Sequence, residues 1–476
     1  MTIVSLLLAG GALLALGGIA APLRAQAPPP PPPAPAITMN PATLDGTAGF
    51  FRVGQSKTGQ WYFVDPENRP FLFKGVTSVS RANAWGNVDK TQPRLYAPVV
   101  ERKYGGDPAA FREGNIKRLR DWKFNALGAW SEDLFWDHGM PYTIILDFVK
   151  DGHELMNIGM PNVYDPGWAA VIDAKAKRLC TPHAESRDLI GYFTDNELGW
   201  PAPATIAQEQ EVGVPSAPAS PSLLQRCLSQ PANTPEYGAA WAFVSARHPD
   251  AKTLPASWGI ADASPDAITA LTKAKHPIRT AGFVSDDTAF VRQTAERYFR
   301  LSAEAVRRYD KNHLLLGCRF GGPPDPAVFA AVRRPWVDVV SANNYRDTMY
   351  ERMDIYYQAT HLPVLNTEFA WASDYFVKPR SGEPTGGLPV SERMVVLGRQ
   401  SLARALSHPA LVGYTWFRWV DKPDQLPPAS FGIVTADDAP NWAHLGTLTW
   451  INENAEAIHA GGTVAPIAAA NTGAKN

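Results

Sequence analysis

Cysteine is scarce: three residues in a chain of 476 cannot build a disulfide framework, and an odd count leaves at least one thiol unpaired. Charge of one sign is lacking too. Lys+Arg 45 against Asp+Glu 46 leaves a formal −1, and only 19% of residues are charged, so no basic field exists to hold nucleic acid or an anionic membrane; a neutral ligand fits better. The ten His are scattered, with no HExxH and no pair on one strand, which argues against a metal hydrolase. No GxGxxG or GxxxxGK[ST] cradle supports nucleotide use, and Ser78 and Ser80 lie in no GxSxG elbow. No cofactor is implied. Beyond the first residues, no run reaches the roughly 18 apolar residues that span a bilayer, so no transmembrane segment is expected in a mature chain.

Two residue types are abundant, with 15 Trp and 43 Pro, and the 45% hydrophobic content suffices for a large core. Ile3 to Ala21 is apolar, and Ala25-Gln26-Ala27 has the small-x-small pattern of a cleavage site, although no Lys or Arg precedes it. Residues 1–27 are therefore expected to be a signal peptide and the protein to be exported, to the periplasm or beyond, with a tether at its start as the alternative. Pro28 to Pro33 are consecutive, so residues 28–45 read as a semi-rigid linker. In an oxidising compartment Cys180 and Cys227 are the candidates for a bridge, while Cys318, in an apolar run, reads as a buried core thiol.

From residue 46 to 463, short apolar runs rich in β-formers alternate with helical periodicity, the pattern of βα units around a parallel sheet. Trp61-Tyr62-Phe63-Val64 and Phe71-Leu72-Phe73 flank the turn-prone Asp65-Pro66-Glu67-Asn68 and read as a β-hairpin, its second arm running into a strand that ends near Gly75-Val76. Seven further strands are expected at Asn125–Leu127, Tyr142–Phe148, Leu189–Thr194, His313–Cys318, Val337–Ala342, Leu362–Thr367 and Leu411–Trp416. Helices are expected at Pro108–Trp122, Trp168–Leu179 and Thr288–Tyr309. Eight strands with intervening helices predict an α/β fold, a (β/α)8 TIM barrel, whose sites lie at the carboxyl ends of the strands. About 80 residues, 201–284, separate the fourth strand from its helix and read as a long insertion on the surface. Residues 464–476 read as a frayed tail.

Two strand ends carry the chemistry. Gly191-Tyr192-Phe193-Thr194-Asp195-Asn196-Glu197 ends the fourth strand in an Asn-Glu pair, and Pro363 to Phe369 ends the seventh with Glu368. A glutamate directly after an apolar strand faces the barrel mouth, partly desolvated, where its proton affinity is tuned by its surroundings. Two carboxyl groups facing one ligand suit hydrolysis of an acetal: one gives a proton to the leaving oxygen, and the other attacks the anomeric carbon or activates water. The acid must hold its proton near neutral pH and the nucleophile must stay ionised. Either Glu alone could be a solvated loop residue or part of a structural ion pair; it is their pairing on strands four and seven that favours chemistry.

Asn196-Glu197, Glu368, Asn344-Tyr345 after strand six and Tyr414-Thr415-Trp416-Phe417 on strand eight together resemble clan A of the glycoside hydrolases, retaining (β/α)8 enzymes. The resemblance runs from about residue 50 to 460. Within the clan, Trp61 to Pro66 leading into Phe73-Lys74-Gly75-Val76, the stretch Gly191 to Trp200 and the ending Phe431-Gly432-Ile433-Val434 are most similar to the β-agarase family, glycoside hydrolase family 50. The resemblance implies Glu197 as acid/base, Glu368 as nucleophile, Asn196 as hydrogen-bond partner of the sugar hydroxyl beside the anomeric carbon, Tyr345 as donor to the nucleophile and Trp416 as floor of the sugar site. The implied substrate is a β-linked polysaccharide or oligosaccharide, with agarose-type galactan leading.

Weaker candidates for lining the ligand site are Trp130 after strand two, Trp200 beyond the acid, Arg319 after strand five, for which a structural ion pair is an equal alternative, Trp371 after the nucleophile, and Asn83 and Trp85 after strand one. Two alternatives share these features: another clan A specificity such as β-galactosidase or β-mannanase, and a non-catalytic carbohydrate-binding barrel, which would keep aromatic platforms but has no need of both carboxylates. Oligomeric state is left open.

Overall fold

The structure, a computed structural model, describes residues 36–82, 96–155, 159–200, 222–272, 278–372, 390–421 and 431–461, apart from Ala251, Ala261, Ala263 and Arg279. The expected signal peptide and the expected tail lie outside these residues.

The described part begins with an antiparallel sheet of β1 (Arg52–Gln55), β2 (Trp61–Val64) and β3 (Pro70–Phe71), in that order. β1 was not read in the sequence, because Arg52-Val53-Gly54-Gln55 has neither an apolar run nor a clean alternation. Residues 39–45, read as the end of the linker, are held to this sheet: Met39 bridges Ser56, Asp45 bridges Val53, and Asn40 N donates to Gln55 O at 2.8 Å.

Eight strands follow: β4 (Phe73–Val76), β5 (Ala126–Leu127), β6 (Tyr142–Ile145), β7 (Leu189–Phe193), β8 (Leu314–Leu315), β9 (Val340–Asn343), β10 (Val364–Phe369) and β11 (Leu411–Trp416). They pair in parallel in the order β8-β7-β6-β5-β4-β11-β10-β9. Its two edges meet through a parallel bridge between Phe320 and Ala342, where Phe320 N donates to Ser341 O (2.9 Å) and Asn343 N to Phe320 O (2.7 Å). The sheet thus curls on itself with helices outside, a TIM-like α/β fold. Strands buried on both faces explain why seven of the eight read as near-continuous apolar runs. The run from Tyr142 stops as a strand at Ile145, since Asp147 takes φ +50° and Phe148–Asp151 forms a short 3-10 helix.

The abundant proline has a local function. Asp107-Pro108, Asp165-Pro166 and Asp325-Pro326 each start a helix, with the Asp side chain accepting from the N–H two residues on (2.7–2.8 Å) and Pro in the first turn, where its missing N–H costs nothing. In and beside the barrel strands, Phe73, Ile190, Leu314, Val339, Leu365 and Val412 pack with Val53 and Phe63 of the antiparallel sheet and with Phe51 just before it. These barrel residues come mostly from strand beginnings, so the small sheet seals the end opposite the strand termini and leaves the carboxyl ends for a site. After β7 the described insertion is helical: Leu223–Leu228, Pro235–Arg247, Thr253–Trp258 and Pro265–Thr272 precede the long helix Ala281–Tyr309, and Leu223, Leu224, Cys227 and Leu228 are buried. Cys180, Cys227 and Cys318 are all buried and free, so the Cys180–Cys227 bridge left open by the sequence is not formed.

Candidate active site

On the curled sheet, β7 and β10 are separated by β8 and β9, so whatever follows β8 and β9 lies on the short arc between Glu197 and Glu368. Arg319 and Asn343 occupy that arc.

Glu368 sits within β10 at an irregularity. Asn366 pairs with Ala342 and Glu368 with Asn343, so two steps on β10 match one on β9, and the register with β11 shifts at the same place. Such a bulge re-aims side chains out of the strict alternation. Thr367 and Glu368 consequently both reach the same cluster: Thr367 Oγ1 donates to Asn343 Oδ1 at 2.7 Å, while the buried Glu368 carboxylate is paired with Arg319 Nη2 through Oε1 and accepts from the Tyr345 hydroxyl through Oε2. Burial pushes the Glu368 carboxyl above its ordinary value; the Arg319 charge opposes this, the Glu197 charge adds to it, and the Tyr345 bond lowers it again. Tyr345 in turn is held far towards its neutral phenol by burial and by the Glu368 charge.

Glu197 is differently placed. It follows β7 in a left-handed conformation (φ +49°), with its N–H on Arg319 O at 3.1 Å, and its side chain is exposed. Its Oε1 accepts from Asn343 Nδ2 at 2.9 Å, and the same nitrogen donates to Asn196 Oδ1 at 3.1 Å. Gly321 keeps this corner open, since a Cβ there would stand 3.3 Å from Glu197 Cγ. Asn196 Oδ1 also accepts from Arg319 Nε at 2.9 Å. With its oxygen engaged twice, the amide is oriented so that Nδ2 is the group it can offer a ligand. One continuous network therefore runs Glu197–Asn343–Asn196–Arg319–Glu368–Tyr345.

Of the two readings of Arg319, the structure has the ion pair: the side chain is fully buried, its guanidinium lies 4.5 Å over the Trp130 ring and 5.2 Å over Phe193, and its donors go to Asn196, Thr367 O and Glu368. A buried guanidinium needs a counter-charge, and Glu368 supplies it. Trp130 thus joins the site through Arg319, at a left-handed backbone position (φ +58°). Trp416 and Trp371 show no exposed face. They meet edge to face at 4.5 Å, Trp416 Nε1 donating to Phe431 O and Trp371 Nε1 to His444 Nδ1, so both are fully buried supports beneath the mouth, not sugar platforms. Trp200 is half-buried, stacked on Phe299 at 5.5 Å and edge-on to Tyr298. Asn83 and Trp85 lie outside the described residues.

Sequence reasoning missed Asn343, the amide that ties Glu197 to the rest, although it directly precedes the quoted Asn344-Tyr345. Its place directly after the expected strand Val337–Ala342, as Asn196-Glu197 and Glu368 follow theirs, was the available signal. Among the described residues no group of three or more His, Cys, Asp or Glu could hold a metal ion, and no helix is long and apolar enough to cross a membrane.

Two curated proteins of Vibrio sp. (strain JT0107) resemble the chain: β-agarase B, 24% identical over 354 residues (69% of this chain and 34% of that protein), and β-agarase A, 24% identical over 443 residues (79% and 42%). The chain spans well under half the length of either. No family model matches it. Among solved structures, PfGH50B superposes with TM-score 0.70 at 21% identity, covering 88% of this chain and 67% of that one. The agarase AgWH50C gives 0.68 at 21%, covering 87% and 66%, and an exo-β-agarase gives 0.69 at 20%, covering 88% and 67%. The resemblance to β-agarases read from Trp61–Pro66, Phe73–Val76, Gly191–Trp200 and Phe431–Val434 is thus found again in sequence over 69% and 79% of the chain and in fold.

Proposed function

We propose that the chain is a retaining glycoside hydrolase acting on a β-linked polysaccharide or oligosaccharide, with agarose-type galactan the favoured substrate. The observation that carries the reading is the single network that joins an exposed strand-end glutamate to a buried, ion-paired one. Glu368, fixed by Arg319 and Tyr345, attacks the anomeric carbon; Glu197 protonates the leaving oxygen, then takes a proton from the water that releases the sugar from Glu368. Two displacements restore the original configuration. Asn196 Nδ2 faces the hydroxyl next to the anomeric carbon, a contact that strengthens as positive charge develops there.

The names of the curated relatives support agarose-type substrate, and the apolar leader with Ala25-Gln26-Ala27 supports export. Incubation with agar-derived oligosaccharides, β-galactosides and β-mannans, followed by a reducing-sugar assay, tests the substrate. Azide added to a Glu368→Ala variant should yield a glycosyl azide of inverted anomeric configuration. Absence of turnover on every glycan by the wild type would overturn the reading.

A further inference from the structure

The parallel ladder between β6 and β7 continues past the end of β6 as backbone bonds, Leu146 N to Phe193 O (2.8 Å) at the last residue of β7 and Phe148 N to Thr194 O (3.1 Å) beyond it. The next donor, Val149 N–H, meets no backbone carbonyl. It bonds Asp195 Oδ1 at 2.7 Å, so a side chain stands in for the main chain at the point where the main chain leaves the sheet. The other carboxylate oxygen accepts from Tyr298 Oη at 2.7 Å, and that hydroxyl also meets Thr194 Oγ1 at 2.7 Å. Tyr298 belongs to the long helix Ala281–Tyr309, and both it and Asp195 are fully buried. One residue later comes Asn196, and the next is Glu197 at φ +49°.

We propose that Asp195 is the positioning residue of the acid side: by replacing a backbone acceptor it lets the chain turn out of the sheet while remaining pinned, from β6 and from the long helix, immediately before Asn196-Glu197. Both oxygens are engaged inside the protein, so Asp195 acts through Glu197 and not on substrate. An Asn fits the same contacts, its Oδ1 accepting from Val149 and its Nδ2 donating to the Tyr298 oxygen while the phenol proton goes to Thr194; an Ala fits neither.

The inference rests on Glu197 being the acid, and the test separates the two ideas. Hydrogen–deuterium exchange is followed in segments 146–151, 189–193 and 194–200 of the wild type and of Asp195→Ala, Asp195→Asn and Tyr298→Phe. In parallel, kcat and KM are measured on an agar-derived oligosaccharide, and kcat/KM on 2,4-dinitrophenyl β-galactoside, a leaving group that needs no proton. Asp195→Ala should raise exchange about tenfold in 146–151 and 194–200 while 189–193 keeps its protection. It should lower kcat on the oligosaccharide about 10²-fold, with KM and the aryl-glycoside rate held within about threefold. Asp195→Asn should restore both, and Tyr298→Phe, which removes one anchor and serves if Asp195→Ala does not fold, should fall between. Unchanged exchange, or equal losses on the two substrates, overturns the proposal. A wild type that cleaves neither substrate sinks the galactan reading, and the exchange pattern alone then decides whether Asp195 holds the segment.

Discussion

The two carboxyl groups at the barrel mouth contrast in almost every physical respect. Glu368 lies inside a strand flanked on both sides, at a bulge, buried, paired with a guanidinium and bonded by a phenol. Glu197 lies just past its strand, exposed, in a left-handed turn, with one neutral amide as side-chain partner. A buried ion pair cannot swing apart without leaving an uncompensated charge, whereas an exposed carboxyl with one neutral bond can rotate at little cost. The first suits a group that must attack along a fixed line, and the second a group that must pass protons between ligand and solvent. Anchoring, more than residue type, separates the two proposed roles.

The largest expected effects remove the two groups themselves. Glu368→Gln should lower kcat by roughly 10⁴-fold or more on every substrate, because the covalent step is lost whatever the leaving group. Glu197→Gln should cost roughly 10²–10⁴-fold on an oligosaccharide, the usual worth of acid–base assistance, but far less on a dinitrophenyl glycoside. Steady-state rates on both substrates check this, and equal responses from the two variants would erase the contrast.

Next comes the anchor. Arg319→Met leaves the Glu368 carboxylate buried without its charge partner and should cost about 3–5 kcal/mol of stability. The guanidinium favours the ionised carboxyl, so its loss raises the Glu368 pKa further, and the acidic limb of kcat/KM should move to higher pH. Arg319→Lys, which keeps charge without the fork, should move it less. A limb that stays in place in Arg319→Met would show that Glu368 owes its ionisation to something else. Asn343→Ala should then lower kcat about tenfold, the loss of one hydrogen bond to a charged group, with stability less affected than in Arg319→Met.

How much of this could be read beforehand follows from what each feature depends on. The barrel strands are short runs dominated by apolar residues and bounded by turn residues, as expected of strands covered on both faces, and so they were legible. The glutamates were legible as charges that break the ends of such runs, Glu197 past its strand and Glu368 next to last within its own. The aim of a side chain was not. Whether Arg319 faces ligand or Glu368 depends on a bulge at Thr367–Glu368 and on the return of the chain at φ +52° at Arg319 itself, and neither leaves a pattern in residue order. Trp416 reads equally well as platform or support, and only packing against Trp371 and His444 decides it.

The smallest expected effect sharpens the exposed side. Burial raises the Asp195 carboxyl to about 7, with the nearby Asp147 charge adding to it, and Lys175 and the bonds from Tyr298 and Val149 opposing. Cys318, buried beside it, feels the same charge. In the unfolded chain the group releases its proton near the ordinary aspartate value, about 4. Between those two values the folded state holds more protons than the unfolded one, so this group's contribution to stability is full below about pH 4 and is lost as pH rises through about 7. Asp195→Asn keeps the contacts and has no proton to release. Its melting temperature relative to wild type should therefore rise between pH 4.5 and pH 7.5, by roughly 2–5 °C, with kcat on an oligosaccharide within about threefold of wild type at neutral pH. Calorimetric scans of both proteins at the two pH values check it, and a difference in melting temperature that does not change with pH would show that Asp195 releases its proton as readily in the fold as in the open chain.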